Sequence, residues 1–146
     1  MILYIDASAL VKRYVMEHGS NEVIELTAKA DIVATSVVSR AEVAAALARA
    51  ARLGVLDHDA ARRAQRTFSR EWPDLARLPV TELLVSRAET LAWGYGLRGY
   101  DAVQLASALT WQESIGPSVV LATFDQQLWE AGPGAGLQIW PEELKK

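Results

Sequence analysis

Short apolar runs alternate with longer amphipathic stretches along this chain. The first run, Ile2 to Ile5, is apolar throughout and is interrupted by Asp6. A strand that is apolar at every position is buried on both faces, as in parallel sheets. The run 119–122 repeats this pattern, and so does 32–34, closed by Thr35-Ser36. Shorter strands fit 78–80 and 137–139. Between the strands, apolar residues recur at helical spacing. Val43, Leu47 and Ala50 stand at i, i+4 and i+7 of a segment that Gly54 follows. The spacing predicts helices over 7–16, 20–30, 40–53, 58–72, 82–95, 100–113 and 126–131. Pro73 stops the fourth, Gly96 the fifth and Gly116-Pro117 the sixth. Strands that alternate with helices imply a parallel sheet covered on both faces. Ligand sites in such sheets lie at the carboxyl ends of the strands.

That rule singles out four acids. Asp6 follows the first strand directly, and Asp125 lies three residues past the strand ending at Ala122. Glu42 and Asp101 stand at the starts of predicted helices. Each has a local explanation. Ser39-x-x-Glu42 has the form of a capping box, and Asp6, Asp101 and Asp125 each precede or open a helix as an N-cap would. Yet a helix that follows a parallel strand begins at that strand's carboxyl end. Even caps therefore converge on one edge. Four carboxylates gathered there repel one another, and helix dipoles offset only about 0.3–1 kcal/mol each. A divalent cation would neutralise them better, and an all-oxygen donor set favours Mg²⁺ or Mn²⁺ over Zn²⁺. Ser8 and Thr123 each lie two residues from one of these aspartates. Their hydroxyls can support a carboxylate or serve as ordinary turn residues.

Composition narrows the picture. The 146 residues are 51% hydrophobic, which suits one domain spanning 1–146 with a core that needs no staple. The absence of cysteine excludes disulfides and thiolate chemistry. Fifteen Lys and Arg against 18 Asp and Glu give a net charge of −3. That balance excludes a purely electrostatic nucleic-acid binder. Assigning four acids to one metal site removes the excess. No basic-led leader and no uncharged run near the roughly 20 residues of a membrane span is visible, so the cytoplasm is the expected location.

The motifs around the acids resemble those of PIN domains, in particular VapC-type toxins. Tyr4-Ile5-Asp6-Ala7-Ser8-Ala9-Leu10-Val11-Lys12-Arg13-Tyr14 is similar to that family's opening. Ser36-Val37-Val38-Ser39-Arg40-Ala41-Glu42-Val43 is similar to its second acidic motif, and the stretch from Leu97 to Leu109 around Asp101 to its third. Leu121-Ala122-Thr123-Phe124-Asp125-Gln126-Gln127-Leu128 is similar to its fourth. The motifs occur in the family's order. The third often carries His where this chain has Gln104. The resemblance implies a PIN-like three-layer α/β/α fold with a central parallel sheet. It implies an Mg²⁺- or Mn²⁺-dependent endoribonuclease, with a metal-activated water and with Asp6, Glu42, Asp101 and Asp125 as its acids. Asp6 and Asp101 are expected to hold the principal metal, and Asp125 and Glu42 to complete the cluster. The implied partners are an RNA substrate, a cognate VapB-type antitoxin protein, a second copy in a homodimer, and operator DNA through the antitoxin alone. No membrane partner is implied.

Two other functions compete. A catalytically silent PIN domain would act as a binding or repressor subunit. A phosphatase would use Asp6 as a nucleophile, but it lacks a second aspartate where Ser8 stands.

Other features carry less. Arg62, Arg63 and Arg66, with Arg70, form a basic ridge on one helix. Such a ridge can track an RNA backbone or simply face solvent. The five tryptophans sit in or beside apolar helical segments, which points to core or dimer packing more than to base stacking.

Overall fold

The structure, a computed structural model, describes residues 1–116 and 118–145. Five parallel strands form one sheet in the order β3-β2-β1-β4-β5. They are β1 (Ile2–Ile5), β2 (Ile32–Ser36), β3 (Ala76–Leu78), β4 (Val119–Ala122) and β5 (Gln138–Trp140). The helices are α1 (Ala7–Leu10), α2 (Ser20–Lys29), α3 (Ser39–Arg52), α4 (His58–Glu71), α5 (Glu82–Tyr95), α6 (Gly99–Ile115) and α7 (Gln126–Gly134).

Side chains along β1 alternate between two cores. Tyr4 joins Leu105, Leu121 and Leu128 under α5, α6 and α7. Leu3 and Ile5 join Val23, Val43, Leu47 and Phe68 under α1 to α4. This is the period of two expected of a strand buried on both faces, and it makes three layers. Each fully buried Leu or Ile contributes about 1.5–3 kcal/mol. The chain builds outward from β1 to β2 and β3, then crosses back to β4 and β5. The crevice between β1 and β4 is therefore the switch point, where ligands bind in open α/β sheets. Asp6 sits on this seam, its amide bonded to the Ala122 carbonyl at 3.2 Å.

Several element bounds differ from the sequence expectation. The helix over 7–16 is α-helical only to Leu10 and continues as a 3-10 turn over Val11–Arg13. The buried Ser20 hydroxyl donates to the Val15 carbonyl at 2.7 Å, which ties the chain back before α2. The strand placed over 78–80 lies at Ala76–Leu78, because Pro79 has no N–H to give to a ladder. The last strand starts one residue late, since the Leu137 amide bonds the Gly132 carbonyl at the end of α7. α7 itself runs on to Gly134, with Pro133 inside it. Helix α6 spans two residues more than expected at its C-terminal end. Pro117, expected to help stop it, lies outside the described residues.

Candidate active site

Buried Asp6 and Thr123, with half-buried Ser8, form the floor of the site. Asp6 caps α1 by accepting the Ala9 amide at 3.1 Å. Ser8 donates to its two oxygens at 2.7 and 2.9 Å, and Thr123 donates to Oδ2 at 2.8 Å. The same hydroxyls accept backbone amides, Phe124 N on Ser8 and Asp125 N on Thr123. Ser8 and Thr123 thus join β1 and β4 through the Asp6 carboxylate. Only 3% of Asp6 is exposed. Burial pushes its carboxyl up to about 7 against the lowering effect of these hydrogen bonds, and the charge of Glu42 adds to the rise.

Glu42 and Asp101 approach from opposite layers. Glu42 lies in the first turn of α3, but the capping box read from the sequence does not form. Val38 is the cap residue and has no side-chain bond, and Ser39 turns inward. The Ser39 hydroxyl shares a hydrogen bond 2.7 Å long with Thr35 and accepts Gln104 Nε2 at 2.9 Å. Gln104 Nε2 also donates to Glu42 Oε1 at 2.8 Å. Gln104 in turn accepts the Tyr4 hydroxyl at 2.6 Å. Asp101 stands in the first turn of α6, whose cap residue is Arg98, so it is not the N-cap itself. Asp125 does cap α7, by accepting Leu128 N at 3.0 Å.

The acids form an electrostatic chain. Burial raises the Glu42 carboxyl, the Gln104 hydrogen bond opposes the rise, and the charge of Asp101 adds to it. Burial also raises Asp101, followed by repulsion from Asp125 and relief from Arg98. Arg98 bridges the far end, with Nε on Asp101 Oδ2 at 3.0 Å and Nη2 on Asp125 Oδ2. A cavity of about 770 Å³ opens beside Glu42, Arg98 and Asp101, walled by Val85, Ala88 and Tyr100. Among the described residues, no three His, Cys, Asp or Glu side chains are grouped closely enough to hold an ion. The donor chemistry nonetheless suits a hard cation. The donors are carboxylate oxygens supported by hydroxyls, three of the acids are raised by burial with a neighbouring carboxylate adding to the rise, and a guanidinium already joins two of the four.

Residues 3–132 match the model of the family described as PIN domain. The chain belongs to the PIN domain family. It is 35% identical over 143 residues to ribonuclease VapC45 of Mycobacterium tuberculosis, covering 98% of this chain and 97% of that protein. Among solved structures, FitAB bound to an IR36 DNA fragment superposes with a TM-score of 0.69 at 17% identity, covering 99% of both chains. A toxin–antitoxin complex from Klebsiella pneumoniae superposes with a TM-score of 0.65 at 17% identity, covering 92% of this chain and 94% of that one. These two likenesses concern the fold, which is the expected α/β/α PIN arrangement.

In this PIN domain all four predicted acids, with Ser8 and Thr123, come to the carboxyl edge of the sheet. Arg62, Arg63 and Arg66 are exposed on α4 and make no ion pair with any of the four acids. Trp72 is buried, whereas Trp93 is 89% exposed and leaves the core. The sequence reading gave Tyr4, Gln104 and Arg98 no part in the site. Gln104 had a signal: an amide three residues after Asp101, inside the apolar stretch from Ala102 to Leu109. Arg98, a cation three residues before Asp101, had another.

Proposed function

We propose that this PIN domain is a VapC-type ribonuclease toxin that hydrolyses RNA phosphodiester bonds at the Asp6, Glu42, Asp101 and Asp125 cluster with Mg²⁺ or Mn²⁺. The observation that carries the reading is the convergence of these acids at the switch point of a chain 35% identical to a ribonuclease over nearly its whole length. Asp6 and Asp101 would hold the cation, with Asp125 and Glu42 completing the set. When bound, a divalent ion lowers the pKa of water and offsets charge on the phosphate oxygens.

The chain's own residues do the rest. Ser8, Thr123 and the Ala9 amide hold the Asp6 carboxylate in one orientation. Burial pushes the Asp6 carboxyl up to about 7, so near neutral pH it is only partly ionised, and a cation beside it would favour the charged form. Gln104 holds Glu42 Oε1, which would leave Oε2 to orient a water or support the cation. The 770 Å³ cavity gives the RNA strand room beside both helices.

The partner is an antitoxin protein, as the solved toxin–antitoxin complex of like fold supports. Operator DNA would be reached through the antitoxin. Leu83, Val85 and Trp93 on α5 leave apolar surface exposed, which supports a protein–protein contact there, with a second copy or with the antitoxin. Among the described residues no helix is long and apolar enough to cross a membrane. A cytoplasmic location fits the RNA substrate. The test is cleavage of RNA with and without Mg²⁺, compared between the wild type and Asp101→Asn. Equal cleavage by the two proteins overturns the assignment.

A further inference from the structure

Arg98 is the residue immediately before α6, and its side chain is 70% exposed. Its guanidinium joins Asp101 of α6 to Asp125, the cap of α7. Among the described residues it is the only Lys or Arg in an ion pair with any of the four acids. One positive group therefore holds two carboxylates that otherwise repel each other. Nothing buries that group. Exposed ion pairs are individually weak and are exchanged easily. The guanidinium also stands on the wall of the cavity that Glu42, Tyr100 and Asp101 line. Its planar fork suits a phosphate as well as it suits a carboxylate.

We propose that Arg98 and the divalent cation compete for Asp101 and Asp125, and that the displaced guanidinium takes a phosphate oxygen of the RNA strand in the cavity. This rests on the metal reading given above. Without the cation, Arg98 keeps the two acids together. With it, the carboxylates are neutralised by the ion and Arg98 is repelled from them. Phosphate is then the anion within its reach. The exchange moves no covalent bond and transfers no proton.

The experiment is calorimetric titration of RNA-free protein with Mn²⁺, using the wild type, Arg98→Ala and Arg98→Lys. Arg98→Ala is expected to bind Mn²⁺ about three- to tenfold more tightly than the wild type, with Arg98→Lys between them. At saturating Mn²⁺, Arg98→Ala should raise KM for a short single-stranded RNA more than it lowers kcat. Thermal melting of each protein reports that the fold is retained, and Arg98→Gln serves if the alanine variant melts early. Mn²⁺ affinity equal to or weaker than that of the wild type overturns the competition. An unchanged KM overturns the phosphate contact. Failure of the wild type itself to bind Mn²⁺ overturns the metal reading and this inference with it, a result distinct from wild-type binding that Arg98→Ala leaves unaltered.

Discussion

Gln104 reaches over the carboxyl edge of the sheet and donates its amide to Glu42 at 2.8 Å. The two residues belong to opposite layers, α6 and α3. Glu42 and Tyr4 together set which way the amide faces, because an ionised carboxylate can only accept and so takes Nε2. Burial raises the Tyr4 phenol well above its ordinary range, so it stays protonated and donates to Gln104 Oε1 at 2.6 Å. Nε2 is then left for Ser39 and Glu42. Gln104→Leu removes all three bonds and leaves the Tyr4 and Ser39 hydroxyls with lost partners. The expected loss is about 2–4 kcal/mol of stability, read by denaturant unfolding. The Glu42 carboxyl should also rise further, moving the acid limb of RNA cleavage to higher pH. A variant as stable as the wild type would show that the network adds nothing.

Asp101→Asn keeps the shape of the first turn of α6 and removes one charge beside Asp125 and Glu42. RNA cleavage in Mg²⁺ should fall roughly 100-fold or more. The melting temperature should hold or rise, because a mutual repulsion has gone. A stopped-time assay on one RNA, with melting of the same samples, separates the two effects.

Asp6 gives a pH signature. Its folded-state carboxyl lies near 7 against an ordinary value of 3.8, so the native state binds the proton more tightly than the unfolded chain does. Stability from this group is complete below pH 3.8 and is lost as pH rises through 7. Asp6→Asn cannot titrate. In the presence of a chelator, its stability relative to the wild type should therefore climb between pH 4 and pH 8, by up to a few kcal/mol. Added Mn²⁺ should stabilise the wild type at pH 8 and the variant much less. Parallel unfolding curves across that range would refute the assignment.

The α4 ridge is tested by salt. Arg63 and Arg66 are exposed and unpaired with the acids, so replacing both with Ala should spare the fold. If they contact the RNA backbone, the slope of log affinity against log salt should shrink by about one to two. An unchanged slope assigns them to solvent.

Much of this was legible in the sequence, for a physical reason. An all-apolar run such as Ile2–Ile5 broken by Asp6 states both the burial of the strand and the place where it ends. The rule that sites lie at the carboxyl ends of strands then picks out Asp125 with Asp6, but the pairing of β4 with β1 that joins them through Thr123 shows only in the fold. Local patterns were less reliable. Ser39 and Glu42 have the spacing of a capping box, but a partner from α6, far away in the chain, captured both side chains. Gln104 was passed over for the same reason, as its three bonds all run to residues at least 62 positions away. Helix 7–16 was overextended because its early end depends on Ser20 beyond it. Spacing reports contacts along one element, whereas these contacts join elements.

The order β3-β2-β1-β4-β5 sets a timetable for synthesis. A growing chain that has reached the end of α6 already carries Asp6, Glu42 and Asp101, but it lacks the strand that completes the crevice beside β1. Thr123, which holds one oxygen of Asp6, and Asp125, which stands opposite Asp101 across Arg98, both follow that strand. While still attached to the ribosome, then, the nascent polypeptide is surrounded by RNA without a finished centre. On the proposed role of these four acids, a centre that needs β4 is complete only when nearly all of the chain has been made.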